Sequence, residues 1–215
     1  RVFFKWMVDQ QYRSDNPCTR IKPPKTTEHL PRHLSHNEVE RLVEHPAQEG
    51  WFKIRNRAIL ELLYGAGIRA AETEQLNVGD IDLDNFFVRV IGKGNKERKV
   101  PFGEPAADAL KQWIKITGTE GPLFRNKFGN RLSSRSIWTI CRNSGRLNGI
   151  SELHPHVLRH TCATHLIGGR MDLRSIQRQL GHSSINTTQR YIHVDIERMR
   201  TAHKIGHPLS KHYKK

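Results

Sequence analysis

The stretch His156-Val157-Leu158-Arg159 lies in the last third of the chain, and it is followed by His182 and Tyr191. A histidine and an arginine three residues apart project from one face of a helical first turn, where backbone N–H groups also favour a phosphate. A tyrosine phenol can attack phosphorus while arginines hold the non-bridging oxygens on which charge develops. The order of these residues therefore indicates phosphoryl-transfer chemistry carried on helices.

Two motifs in the first half of the chain supply further cations. Arg69 lies in Gly67-Ile68-Arg69-Ala70-Ala71-Glu72, and Lys93 lies in Gly92-Lys93-Gly94-Asn95-Lys96. Taken alone, the spacing of Arg69 and Glu72 fits an ordinary i, i+3 ion pair on a helix surface equally well. A lysine in a glycine-rich turn is usually only solvated. With both halves in view, the chain resembles the tyrosine recombinase (phage integrase) family, and within it the bacterial Xer recombinases. The resemblance runs from about residue 35 to about residue 207.

The resemblance implies how the phosphate is attacked and held. Tyr191 is the expected nucleophile and forms a 3′-phosphotyrosyl intermediate with a free 5′-hydroxyl. Arg69 and Arg159 are the expected phosphate-clamping arginines, and His182 is expected to donate a hydrogen bond to the same phosphate. A partner strand's hydroxyl then reverses the reaction, so the resemblance implies no metal, no ATP and no other cofactor.

The resemblance also assigns the proton transfers. Lys93 is expected to protonate the leaving 5′-hydroxyl, and His156 is expected to exchange a proton with the tyrosine, since the pKa of histidine lies near neutrality. Glu72 is expected to hold the guanidinium of Arg69 flat against the phosphate. Relatives usually have Thr-Gly-Leu-Arg-x-Ser-Glu in this segment, so the departures here concern packing and leave Arg69 and Glu72 in place.

Four other interpretations remain open from the sequence. His156 and His160 have the spacing of a zinc-protease helix, but Val157 stands where that motif needs glutamate, and no third ligand is evident. The same chemistry could serve a type IB topoisomerase that relaxes supercoils without strand exchange. The chain could also be a non-catalytic DNA-binding relative, or a basic scaffold that binds no DNA.

The composition favours a polyanionic partner. Lys and Arg total 36 against 21 Asp and Glu, which gives a formal net charge of +15. A balance this basic fits double-stranded DNA, and the basic residues alternate with apolar ones as on a folded binding surface. Surface arginines contact phosphate more often than bases. The candidate DNA-binding residues are Lys96, Arg98, Lys99, Arg135, Arg142 and Arg146.

The hydrophobic pattern predicts a mainly α fold with a small antiparallel β-sheet, an α+β class, and the resemblance implies the tyrosine recombinase catalytic-domain fold. Ser35, Ser133 and Asp172 have the spacing of helix N-caps, and Gly181 is expected to end a helix. Between residues 81 and 102 the period changes to that of short strands, which are expected at 81–83, 86–91 and 99–102. Two further short helices are expected to begin at Thr187 and Asp195.

Three segments are expected along the chain. Residues 1–25 resemble the end of a truncated N-terminal core-binding domain with a linker, in which Asn16-Pro17 ends a helix. Residues 26–207 form the catalytic domain, and residues 208–215 form a basic tail. In relatives the C-terminal segment docks on a neighbouring protomer, which implies a homo- or hetero-oligomer acting as a tetrameric synapse.

The remaining composition agrees with a cytoplasmic, nucleoid-associated protein. The three cysteines show neither metal-ligand spacing nor a disulfide framework, which suits a reducing compartment. No apolar run has the length of about 18 residues or more that a membrane span requires, and no signal-peptide pattern opens the chain. The target DNA sequence is not encoded in these patterns, nor is the choice between chromosome-dimer resolution and mobile-element integration.

Overall fold

The computed structural model describes residues 1–21, 33–92, 94–169 and 171–181, apart from the side chain of Leu173. The chain divides into two compact units, Arg1–Leu30 and Pro31–Lys215. In the part of the chain that is described, no helix has both the length and the apolar character needed to cross a bilayer.

The first unit contains helix α1, Val2–Asp9. Phe3 stacks on Trp6, and Trp6 contacts Tyr12, so the apolar residues of this segment pack on one another. The helix ends at Asp9, earlier than the expected stop at Asn16-Pro17. The capping N–H groups after Asp9 bond to the carbonyls of Trp6 and Val8, so the last turn closes on itself.

The second unit is built from seven further α-helices and three strands among its described residues. The helices are α2 His36–Glu44, α3 Trp51–Gly65, α4 Ala70–Gln75, α5 Glu104–Thr117, α6 Ser134–Leu147, α7 Pro155–Gly168 and α8 Leu173–Leu180. The strands are β1 Ile81–Asp82, β2 Phe87–Ile91 and β3 Glu97–Pro101, and a 3₁₀ turn at Val78–Asp80 precedes β1. The mainly α fold with a small antiparallel sheet is thereby confirmed.

The predicted N-caps of the second unit agree with the structure wherever they are described. Ser35 forms a capping box with Glu38, and Ser133 and Asp172 each accept a backbone N–H from the first turn of their helix. Such caps satisfy N–H groups that a helix leaves unpaired, and each stabilises by about 1 kcal/mol. The helices expected at Thr187 and Asp195 lie outside the described residues.

Helix α3 lies at the centre of the core and packs against α5 and α7. Ala58, Ile59, Leu62 and Leu63 are fully buried along it. A separate small cluster, Ala163, Ile167, Ile176 and Leu180, joins α7 to α8. These contacts hold the C-terminal end of α8 against α7, which carries His156 and Arg159.

The sheet has the order β1-β2-β3 with both pairings antiparallel. Strand β3 begins at Glu97, two residues before the expected start at Lys99, and Val90 lies opposite Arg98 in the register. A bond from the Gly92 N–H to the Lys96 carbonyl, at 2.8 Å, closes the turn between β2 and β3. Because side chains alternate along a strand, Arg98 shares the face of buried Val100, while Glu97 and Lys99 are exposed.

Candidate active site

Arg69 lies immediately before α4, and Glu72 holds it there. The Arg69 backbone N–H donates to Glu72 Oε2, and Arg69 Nη1 donates to Glu72 Oε1, both at 2.9 Å. The Glu72 side chain is 6% exposed, whereas that of Arg69 is 37% exposed. The guanidinium therefore faces solvent from a buried carboxylate that fixes its direction.

A second arginine shares the same carboxylate. Arg98 Nη1 and Nη2 donate to Glu72 Oε1 and Oε2 at 3.0 and 2.9 Å, which makes a bidentate pair. The Arg98 side chain is only 17% exposed. Its guanidinium is used inside the protein, whereas the sequence predicted a contact with the DNA backbone; that contact stays a prediction.

Arg159 is buried in α7 and points at two backbone carbonyls. Its Nη1 donates to the Gly67 carbonyl and its Nη2 to the Leu180 carbonyl, each at 2.5 Å. Gly67 has a φ of +63°, and a Cβ there would lie 2.9 Å from a methyl of Leu180. Glycine at position 67 thus allows the chain before Arg69, the end of α8 and Arg159 to lie close together.

The C-terminal end of α8 receives a guanidinium at each of three successive carbonyls. Arg98 Nε donates to the Gln179 carbonyl at 3.3 Å, Arg159 to that of Leu180, and Arg69 Nη2 to that of Gly181 at 3.4 Å. A helix C-terminus carries partial negative charge, so it attracts cations. Arg69 and Arg159, which are far apart in sequence, are in this way brought to one site.

His156 and Arg159 have different surroundings although both lie on α7. His156 is exposed, and it lines a cleft of about 590 Å³ together with Arg69. The ring of His154 lies 6.0 Å from that of His156 and stacks on Trp138 at 4.8 Å. Burial, and then the nearby charge of His156, lower the pKa of His154 against an opposing effect of Glu152. The neutral form of His154 is thus favoured beside His156.

Helix α6 forms the opposite wall of this cleft. Arg135, Trp138, Thr139 and Arg142 line it, at the spacing of one helix face. Arg146 is exposed on the same helix but does not line the cleft. Lys96 and Lys99 are exposed at the turn and on β3.

Sequence reasoning missed Trp138 at this site and did not foresee the internal position of Arg98. Trp138 lies in the cleft wall one turn after Arg135 and one turn before Arg142, and that helical spacing was the available signal. The internal position of Arg98 could have been found from its strand alternation with Val100. Lys93, His182 and Tyr191 lie outside the described residues.

The histidines near the cleft have other partners than a metal. His165 Nδ1 lies 2.9 Å from the Tyr64 hydroxyl and its ring stacks on His36 at 3.9 Å, while His160 packs edge-on against His33. Among the described residues no group of three or more potential ligands could hold a metal ion. The zinc interpretation of His156 and His160 therefore gains no support from this part of the chain.

The charge on Glu72 makes stability depend on pH. Burial opposes ionisation of Glu72, but the hydrogen bonds and charges of Arg98 and Arg69 outweigh it and leave the pKa below its ordinary value of 4.5. We expect Glu72→Gln to reduce the free energy of unfolding at pH 7 by about 2–3 kcal/mol. This loss is slightly less than that on removing one partner of a fully buried ion pair. The advantage of the wild type is complete above pH 4.5 and disappears as pH falls through the lowered pKa.

Denaturant unfolding at a series of pH values measures this difference. Glu61→Gln is the matched control, because Glu61 is also 6% exposed. Unlike that of Glu72, the pKa of Glu61 is raised, since the effect of burial outweighs the opposing charge of Arg57. The ionised Glu61 costs stability at neutral pH, so its replacement should not destabilise there. If the loss of unfolding free energy in Glu72→Gln stayed constant from pH 7 down to pH 3, which is about one and a half units below the ordinary carboxyl pKa, the assignment would be contradicted.

Comparison with known proteins identifies relatives over the whole chain. The profile of the phage integrase family matches residues 32–198. The tyrosine recombinase XerC of Haemophilus ducreyi is 41% identical over 216 residues, which cover 98% of this chain and 71% of that protein.

Two solved structures have the same fold. The crystal structure of XerA recombinase superposes with a TM-score of 0.72 and 31% identity, covering 88% of this chain and 68% of that one. The post-cleavage complex of the XerH site-specific recombinase bound to palindromic difH substrate gives a TM-score of 0.71 and 28% identity. The match covers 85% of this chain and 55% of that one. The chain therefore has the fold of Xer recombinases, one of which was solved on DNA.

Proposed function

The chain belongs to the phage integrase family, and from this membership we propose that it is a site-specific DNA recombinase that cleaves and rejoins strands through a tyrosine-linked intermediate. The observation that carries the proposal is the convergence of Arg69 and Arg159 on the end of α8, beside a cleft that His156 lines. Two guanidinium groups at one site are suited to a phosphate that gains charge during reaction.

In the proposed reaction the phenol oxygen of Tyr191 bonds to the scissile phosphorus. The bond from phosphorus to the 5′-oxygen breaks, which leaves a 3′-phosphotyrosyl enzyme and a free 5′-hydroxyl. Arg69, Arg159 and His182 stabilise the five-coordinate transition state by hydrogen bonds to the non-bridging oxygens. Attack by the 5′-hydroxyl of a partner strand reverses these bond changes and restores the tyrosine.

Two residues would move the protons. The ordinary pKa of a phenol is about 10, so Tyr191 must lose its proton as it attacks, and His156 is the acceptor. Lys93 supplies a proton to the leaving 5′-oxygen. Each proton returns when the strand of the partner is joined. The phosphotyrosyl bond conserves the energy of the broken phosphodiester, so the proposed cycle needs neither ATP nor a metal ion.

The DNA duplex would lie along the cleft between α4 and α6. Arg135 and Arg142 on the cleft wall face the same space as Arg69, and exposed Lys96 and Lys99 extend the basic surface. Contacts from such residues to phosphates would fix the register of the duplex, and only contacts to base edges would read sequence. Arg146, outside the cleft, would contact a neighbouring stretch of backbone.

We propose residues 26–207 as the catalytic domain, with residues 1–25 as the end of an N-terminal core-binding domain and its linker. The segment after Tyr191, including the basic tail at 208–215, would dock on a neighbouring protomer in a tetrameric synapse. It lies outside the described residues. Chromosomal or mobile-element DNA would be the substrate, and the protein would act on it in the cytoplasm.

The recombinase proposal is favoured over relaxation by a type IB topoisomerase. The relatives that cover the chain are named as recombinases. Relaxation of supercoiled plasmids that contain no specific site would indicate the topoisomerase activity instead. Specific DNA binding without any cleavage would indicate a non-catalytic relative.

The test is covalent trapping on nicked duplexes tiled across the native replicon, using the full-length gene product in EDTA. A nick beside the scissile phosphate releases a short fragment, so the tyrosyl adduct accumulates. We expect a denaturation-resistant adduct on a small set of duplexes, at a rate that added Mg²⁺ leaves unchanged. Gel analysis with labelled DNA measures it.

Shuffled duplexes of the same composition are the control for site specificity. Dependence of the adduct on Mg²⁺ would overturn the metal-independent mechanism. Absence of an adduct on every duplex, with specific binding retained, would overturn the recombinase proposal in favour of binding alone.

A further inference from the structure

We propose that Arg98 is a positioning residue that aligns three catalytic segments of the recombinase, and this inference rests on the function proposed above. Arg98 contacts Glu72, the end of α8 and the turn that begins at Gly92. Each of these places adjoins a proposed catalytic residue in the chain. The Arg98 side chain itself is directed mainly to the interior, where it pairs with Glu72.

The first contact sets the direction and the charge of Arg69. Glu72 accepts from both guanidinium groups, so its single negative charge is shared between Arg69 and Arg98. Without Arg98, the negative charge of Glu72 would be balanced by Arg69 alone. Glu72 would then weaken the attraction of Arg69 for a phosphate. With Arg98 present, the cluster keeps a net positive charge that Arg69 presents to the cleft.

The second contact fixes the end of α8. Arg98 Nε donates to the Gln179 carbonyl at 3.3 Å. Gly181 has a left-handed backbone with a φ of +64°, and a Cβ there would lie 2.9 Å from Cζ and Nε of Arg98. The backbone of Gly181 therefore lies directly against the guanidinium. His182 is the next residue in the chain.

The third contact is with the turn between β2 and β3. A Cβ on Gly92 would lie 3.3 Å from Arg98 Nη1, which is tighter than ordinary side-chain contacts. Lys93 follows Gly92 in the chain. The two glycines that precede Lys93 and His182 are thus both in close approach to one guanidinium.

Arginine has the shape that this position requires. Its planar group donates two bonds to the carboxylate of Glu72 and a third, from Nε, to the Gln179 carbonyl. A lysine has the same charge but a flexible ammonium group, and it cannot hold this fork. Arg98→Lys should therefore keep the charge and lose the alignment.

The experiment measures single-turnover adduct formation at saturating DNA by the full-length gene product. We expect Arg98→Ala to form the adduct about 100-fold more slowly than the wild type, since displacement of a catalytic group by about 1 Å has that effect. Arg98→Lys should form it about 10-fold more slowly. DNA affinity should change less than threefold, roughly the effect of one weak contact. Arg89→Ala is the matched control on the neighbouring strand, because Arg89 is exposed and pairs with Asp80 and Glu97; its rate should equal that of the wild type.

Guanidinium ion separates positioning from folding. Millimolar guanidinium can occupy the space left in Arg98→Ala and restore part of the rate, whereas it can only weaken a variant that is slow because it is unstable. Ammonium, which lacks the fork, should not restore it. An Arg98→Ala rate equal to the wild type, or a deficit that guanidinium does not relieve, overturns the inference. A wild type that forms no adduct overturns the proposed function itself.

Discussion

Tyr191→Phe removes one oxygen atom and is expected to abolish the covalent adduct on DNA. Phenylalanine retains the ring and so the packing, but it has no atom that can bond to phosphorus. Loss of a nucleophile lowers an enzymatic rate by on the order of 10⁶-fold, which places the variant below detection. Binding to the specific duplex should remain, because the basic surface is unchanged. Trapping on the responsive nicked duplex measures the first property, and band shift measures the second.

Two other tyrosines serve as controls. Tyr64 lies 2.9 Å from His165 Nδ1, and burial, with the nearby Cys162 and Glu61, raises its pKa, so it is poorly suited to attack. Tyr12 is 69% exposed and lies in the first unit. Tyr64→Phe and Tyr12→Phe should both form the adduct at the rate of the wild type. An adduct that persists in Tyr191→Phe, mapped by mass spectrometry to another residue, would refute the assignment.

The helical framework was predictable because its ends are marked by local chemistry. Ser35, Ser133 and Asp172 cap their helices through bonds within one turn, and Gly181 ends α8 with a left-handed residue. These signals involve neighbours in sequence, so no tertiary information is needed to recognise them. The small sheet was predicted for the same reason, with an error of two residues at the start of β3.

The contacts among the arginines could not be predicted, because they join distant segments. Arg98 and Gln179 are 81 residues apart, and Arg159 and Gly67 are 92 residues apart. A basic turn with Lys96, Arg98 and Lys99 looks uniformly exposed when only composition is considered. Strand alternation with Val100 indicates that Arg98 points inward, but its partners, Glu72 and the Gln179 carbonyl, are set by the fold.

Arg159→Lys and Arg69→Lys are each expected to slow cleavage by about 10²–10³-fold, the usual effect of losing one preorganised donor to a developing oxyanion. The charge remains, but the planar fork is lost at a phosphate that needs directed donors. Because both groups act on the same phosphate, the double variant should lose less than the product of the two factors. Single-turnover trapping at saturating DNA measures each rate.

The two variants should differ in stability although they resemble each other in rate. Arg159 is 6% exposed and donates to the carbonyls of Gly67 and Leu180, so its replacement leaves buried acceptors unpaired at a cost of about 1–3 kcal/mol. Arg69 is 37% exposed, and its replacement should cost less than about 1 kcal/mol. If stability controlled cleavage, Arg159→Lys would be slow and Arg69→Lys would be nearly normal.

Arg55→Lys provides the reverse case, a buried arginine outside the proposed site. Arg55 is 4% exposed, donates to Asn56 and the Arg125 carbonyl, and stacks on Phe52. Its replacement should destabilise as much as Arg159→Lys does and leave the cleavage rate of the folded protein unchanged. Normal cleavage by both Arg69→Lys and Arg159→Lys would show that the convergence of these arginines on α8 is structural, and the phosphate would then have to be held elsewhere.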